Sequence, residues 1–127
     1  MTVTLLQIAI GGAAGAVARY LTDRLADLVF GTHFPVGTLA VNLIGCLLMG
    51  IAFSLLPERS SGPVWPAPFI MTGVLGGYTT MSAYALDAWT LAGSGRIWEA
   101  FLYLTATVIL AMAMLCAGIA FGRWIAG

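Results

Sequence analysis

Between Ala100 and Gly122 the chain carries no charged residue, and a stretch that long exceeds the ~20 apolar residues an α-helix needs to cross a bilayer. A second uncharged run, Val36 to Leu56, stops at Pro57. A soluble domain of 127 residues cannot bury two such helices and still present a polar surface to water. Charged residues make up only 8% of the chain and hydrophobic ones 61%, where a soluble domain carries roughly 25% charge. Lipid is therefore the solvent, and the length fits one domain.

Two further apolar segments complete an all-α membrane fold of four spans. The first runs from about residue 3 to 30. It is uncharged to Ala18 and then meets Arg19, Asp23, Arg24 and Asp27. Arg19, Asp23 and Asp27 recur every fourth residue and share one helix face. With no positively charged start and three more apolar segments behind it, this N-terminal stretch reads as a membrane span and not as a cleaved signal. The turn Gly31 to Pro35 leads to the second span, 36 to 56, and Pro57 to Pro63 forms the clearest break. The third span, about 64 to 92, opens on prolines that suit a first helical turn. The turn Gly93 to Arg96 precedes the fourth span, 97 to 123. Small residues recur four apart at Gly11 and Gly15, Gly73 and Gly77, and Gly118 and Gly122. Such pairs predict close helix–helix approach within the chain and between subunits.

Charge also limits partners and orientation. Five acidic and five basic residues are interspersed and no lysine is present, so the basic surface that nucleic acid requires is missing. Arg59 and Arg123 fall on one side of a four-span topology; Arg24 and Arg96, with Arg19 nearby, fall on the other. That near-balance leaves orientation open. A slight excess, a partner or lipid decides it, or the chain inserts both ways and pairs antiparallel. Cys46 and Cys116 sit in apolar runs and read as reduced, packed thiols.

The chemistry concentrates on the third span. Gly73-Val74-Leu75-Gly76-Gly77-Tyr78-Thr79-Thr80 is poor material for a continuous helix. A helix broken within a membrane survives only where protein or a cavity satisfies its backbone, and such breaks commonly bind ions. Asn42 places an amide in an otherwise apolar span, and it must pair with another helix or with a permeating species. Ser82, Tyr84, Tyr103 and Thr107 add hydroxyls, with Tyr103 and Thr107 one turn apart on the fourth helix. Together with aromatic edges, which are partially positive, these groups suit a small anion without a fixed cation to trap it. Arg19 and Asp87 lie near span ends, as mouth or interface residues or as salt-bridging groups. No catalytic constellation appears, which argues against an enzyme.

Three stretches resemble the bacterial fluoride channel family known as Fluc or CrcB. They are Gly11 to Tyr20, Gly37 to Gly45, and Gly73 to Ser82, in order and covering nearly the whole chain. The resemblance implies a multi-pass inner-membrane protein of bacteria, working as an antiparallel dual-topology dimer with two fluoride pores. It implies a structural sodium ion at the centre, held by backbone carbonyls that correspond here to Gly76 and Thr79. It assigns Asn42, Ser82, Tyr84, Tyr103 and Thr107 to the pore, with Met81 where the family has an aromatic ring. Family members usually read Phe-Ser-Thr-Phe where this chain has Met81-Ser82-Ala83-Tyr84. Ala111 and Leu115 fall where the polar track would continue. These departures leave two alternatives to a self-sufficient homodimer: a partner subunit of a heterodimeric channel, or a non-transporting assembly subunit. A small multidrug-type proton-coupled transporter shares the span count and the topology. It calls for a membrane-embedded carboxylate, and Asp87 is the one deep acid here.

Overall fold

The structure, a computed structural model, describes residues 1–56 and 66–127. The break from Pro57 to Pro63, and the start of the third span at Val64, lie outside the described residues. Among the described residues, three helices are long and apolar enough to cross a membrane: α1 (Thr2–Phe30), α2 (Val36–Leu55) and α5 (Ile97–Ala126). The fourth expected crossing is built from pieces. A π-helical segment, Pro68–Leu75, runs directly into the short α3 (Gly76–Tyr78). The chain then leaves helical geometry at Thr79 and Thr80 and resumes as α4 (Met81–Gly93).

Local chemistry explains where the interruption falls. Gly76 and Gly77 carry low helix propensity, and two β-branched threonines follow them. Thr79 and Thr80 both take extended backbone angles, with ψ of 156° and 118°. Thr79 closes the upstream piece, since its N–H and its hydroxyl both donate to the Leu75 carbonyl at 3.1 Å. Thr80 opens the downstream piece as an N-cap, its Oγ1 accepting from the Ala83 N–H at 3.2 Å.

Two glycine seams assemble the helices. In the first, α1 lies on the interrupted helix. A Cβ on Gly11 would stand 2.6 Å from the Phe69 carbonyl oxygen, and one on Gly77 would stand 2.5 Å from that of Gly12. In the second, α2 lies along α5, where Gly118 faces the Leu47 carbonyl and Gly122 faces Ser54. The Ser54 hydroxyl reaches the Gly50 carbonyl at 3.0 Å and the Ile119 carbonyl at 3.1 Å. All three sequence pairs thus serve contacts within one chain. The bundle keeps little for itself: Val41 is its one large side chain below 2% exposure among the described residues. Outward-facing leucines, valines and aromatics crowd α1 and α5, as expected of surfaces that lipid or another protein covers.

At the bundle end holding the α1–α2 turn, Arg96 pins two connections together. It forms a bidentate ion pair with Glu99 and donates to the His33 carbonyl. The two cysteines are free, Cys46 partly buried and Cys116 exposed on α5.

The first seam yields a direct test. A Cβ on Gly15 would strike the Val74 carbonyl oxygen and sit 2.9 Å from the Tyr78 nitrogen, whereas one on Gly12 meets nothing closer than 4.0 Å. Overpacking costs about 1–3 kcal/mol. Gly15→Val should therefore lower unfolding midpoints in detergent by an amount in that range, and Gly12→Ala should leave them near the parent value.

Candidate ion pathway at the helix interruption

Asn42 sits on α2 opposite the interruption and is spent largely on its backbone. Its Nδ2 donates to the Thr80 carbonyl at 3.0 Å, and its Oδ1 accepts from the Thr80 N–H at 2.8 Å. Of the two partners the sequence leaves open for this amide, the structure supplies the one on another helix. A carboxamide carries two N–H groups, so one remains for a second partner. One turn along the same face, Gly45 leaves room for the Thr79 methyl group.

The clamp has a consequence for the two predicted cation-binding carbonyls. In a continuous α-helix the N–H of residue i+4 donates to the carbonyl of residue i. The Gly76 carbonyl would receive the Thr80 N–H, which goes to Asn42 instead. The Thr79 carbonyl would receive the Ala83 N–H, which goes to the Thr80 hydroxyl. Gly76 is also exposed on the surface of the single chain. Hard oxygen donors of this kind, deprived of their helical donors, fit a small alkali cation.

A second cluster links α4 to α5. The Tyr84 hydroxyl donates to the Leu104 carbonyl at 2.6 Å, and the Tyr103 hydroxyl donates to the Asp87 Oδ2 at 3.3 Å. The two bonds run in opposite directions between the helices. Between them the Tyr84 and Tyr103 rings lie 5.3 Å apart, and Phe34 meets Tyr103 edge-on at 5.6 Å. Tyr103 is 2% exposed. One turn further along α5, Thr107 is 5% exposed, and its hydroxyl has no hydrogen-bond partner among the described residues. A helical threonine ordinarily bonds back to the preceding turn. Thr107 does not.

The remaining predicted residues divide between an inner cavity and an outer face. A cavity of about 240 Å³ is lined by Arg19, Asp23, Thr38 and Thr80, together with Tyr20 and Val41. Neither Arg19 nor Asp87 takes part in an ion pair among the described residues of the single chain. Met81 is 74% exposed and Ser82 is also exposed. Ser82 touches the interruption through a 3.3 Å hydroxyl contact with Thr80. The single chain therefore gathers Asn42 and Ser82 around Thr80, and separately joins Tyr84, Tyr103 and Asp87. Met81 stands apart from both groups.

Thr80, Thr38 and Phe34 were not singled out from sequence. Thr38 is four residues before Asn42 on the same helix face, and that spacing alone could have marked it. Thr80 hides in a pair of identical residues whose roles diverge only in three dimensions. Phe34 sits in a turn with no periodicity to read.

Comparison with known proteins decides the family. Residues 6–119 match the family described as CrcB-like protein, Camphor Resistance (CrcB). The chain belongs to this family. A relative from Paracoccus denitrificans is 47% identical over 120 residues, which is 94% of each chain. One from Cereibacter sphaeroides is 47% identical over 127 residues, covering 99% of this chain and all of the relative. One from Agrobacterium fabrum is 40% identical over 116 residues, 91% of this chain and 93% of its own. Each bears the name fluoride-specific ion channel FluC. CrcB-family membership removes the multidrug-transporter alternative. With three long apolar helices and bacterial relatives, it fits a multi-pass protein of the bacterial inner membrane and not an enzyme.

The α4–α5 cluster makes its own prediction. Tyr84→Phe deletes one interhelical hydrogen bond and should cost about 1 kcal/mol of stability in detergent. Tyr84→Ala also removes the ring from its stack and should cost about 3 kcal/mol or more. Equal losses in the two variants would mean that the hydroxyl, and not the ring, holds these helices together.

Proposed function

We propose that this chain is a fluoride channel that lets the ion leave the cytoplasm passively, through pores completed in an antiparallel dimer with a structural sodium ion at its centre. The names of the relatives support the ion assignment. The observation that carries the reading is unspent donor capacity on neutral side chains that the protein covers wholly or in part. Thr107 holds a hydroxyl without a partner, and Asn42 retains a second N–H beyond the one given to Thr80. Fluoride is small and strongly hydrated, so a path through the membrane has to replace its water with donors. Neutral donors do so without the deep well that a fixed cation would create.

In this reading Asn42, Ser82 and Thr107 offer N–H and O–H groups, and Tyr103, whose hydroxyl donates to Asp87, offers its ring edge. Tyr84 offers a ring edge, because its hydroxyl is committed to Leu104. Met81 stands where the family has a ring and offers a thioether and a methyl group. Arg19 contributes positive potential beside the cavity it lines. An inside-negative membrane drives a monovalent anion outward by about 2.3 kcal/mol per 100 mV, so no energy source beyond the potential is required.

The positions of the pathway residues support the dimer. Met81 and Ser82 face outward on the single chain, so a pathway that uses them is walled by a second subunit. The same two positions favour a second reading, in which this chain is one half of a heterodimer. A partner retaining the aromatic pair would then supply the ring that Met81 lacks.

Sodium would be held by the Gly76 and Thr79 carbonyls, where it supplies charge that ties the interrupted helices of two subunits together. Growth tests the reading in cells. Expression in a bacterium lacking its own fluoride exporter should restore growth in fluoride medium. Asn42→Asp should not, because it places an anion on the path and removes an N–H donor. Equal rescue by the variant would take Asn42 out of the pathway.

A further inference from the structure

Resting on the sodium reading above, we propose that Asn42 and Thr80 are positioning residues for the cation site: their side chains draw off the two N–H groups that would otherwise quench the Gly76 and Thr79 carbonyls. Both diversions meet at the interruption. Asn42 Oδ1 accepts the Thr80 N–H at 2.8 Å, and Thr80 Oγ1 accepts the Ala83 N–H at 3.2 Å. Those are the i+4 donors of Gly76 and Thr79 respectively. One interruption therefore requires two side-chain acceptors, and the chain supplies one from α2 and one from the interrupted helix itself.

The clamp is fixed from both sides. Asn42 Nδ2 holds the Thr80 carbonyl at 3.0 Å, so the amide cannot rotate away without losing two bonds at once. Thr80 is buried, and the neighbouring Thr79 methyl seats on Gly45. Without the Asn42 acceptor, the Thr80 N–H has the Gly76 carbonyl as its nearest helical alternative. Without the Thr80 hydroxyl, the Ala83 N–H turns to the Thr79 carbonyl in the same way. Each loss removes electron density from a cation ligand without touching the cation. In this reading Asn42 serves two ions: its Oδ1 and one N–H shape the sodium site, and its remaining N–H, which the clamp does not use, is left for the anion.

The test is a sodium titration of thermal stability in detergent, with N-methylglucamine replacing sodium at constant ionic strength. The full chain is used as Thr80→Val, Thr80→Ser, Asn42→Ala and the parent. Thr80→Val and Asn42→Ala should each raise the half-stabilising sodium concentration by at least about tenfold, the ratio set by 1.4 kcal/mol. Thr80→Ser, which keeps the hydroxyl, should stay at the parent value. Unchanged midpoints in Thr80→Val and Asn42→Ala would overturn the inference while leaving the sodium site intact. A parent protein indifferent to sodium would overturn the sodium reading and the inference with it. If those variants do not fold, the parent still decides. Exchange of sodium for N-methylglucamine should move the carbonyl ¹³C resonances of Gly76 and Thr79, and the Thr80 and Ala83 amide resonances should report bonds to side-chain acceptors in both salts. Amide resonances reporting bonds to the Gly76 and Thr79 carbonyls would contradict it.

Discussion

A backbone that leaves helical geometry inside a bilayer must find new partners for its amides and carbonyls, because hydrocarbon offers none. In this chain the demand falls on Thr79 and Thr80, and the bidentate bond between the Asn42 carboxamide and the Thr80 peptide answers most of it. Thr80 then caps the next helix with its own hydroxyl. Much else in the fold is arranged so that this bond can form. α2 must be close enough to present Asn42, and Gly45 provides that closeness by leaving space for the Thr79 methyl. The helix that is interrupted must be held rigidly on its other side, and the glycine seam with α1 does so. Tyr78 adds a hydroxyl contact to Thr22 of α1 at 3.0 Å just before the interruption.

The same economy governs the polar groups on α4 and α5. Interhelical hydrogen bonds in membranes are worth less individually than their dry surroundings suggest, so two opposed bonds and three rings act together. Tyr84 shows how a departure from the family's usual aromatic pair is absorbed. Its added hydroxyl is satisfied by a backbone carbonyl, leaving the ring to do what a phenylalanine would. Met81 is a different kind of change. It sits on the outer face, 74% exposed on the single chain, and its consequences belong to whatever covers that face.

Much of this was legible in the sequence because lipid imposes few alternatives. Long apolar runs marked the regions that form α1, α2 and α5, and the glycine–threonine stretch marked the interruption. Asn42 announced itself as an amide in an apolar span. Sequence could not say that its partner is the Thr80 peptide, since that depends on the lateral placement of α2 against a helix far along the chain. Nor could it separate Thr79 from Thr80, or reveal that the Tyr84 hydroxyl is consumed while that of Thr107 is not. The small-residue pairs indicated close packing. Their partners, Gly11 and Gly15 on the Gly73 and Gly77 helix and Gly118 and Gly122 on α2, required coordinates.

Fluoride and chloride efflux from liposomes, with this purified chain as the sole protein, bears most directly on the central claim. Both ions carry the same charge, and they differ in size and in how tightly they hold water. The account predicts rapid fluoride release with negligible chloride release. That result would show that the chain completes its own pathway with Met81 in place of a ring. Equal release of both ions, or none from a folded dimer, would contradict a self-sufficient fluoride pathway built on these donors.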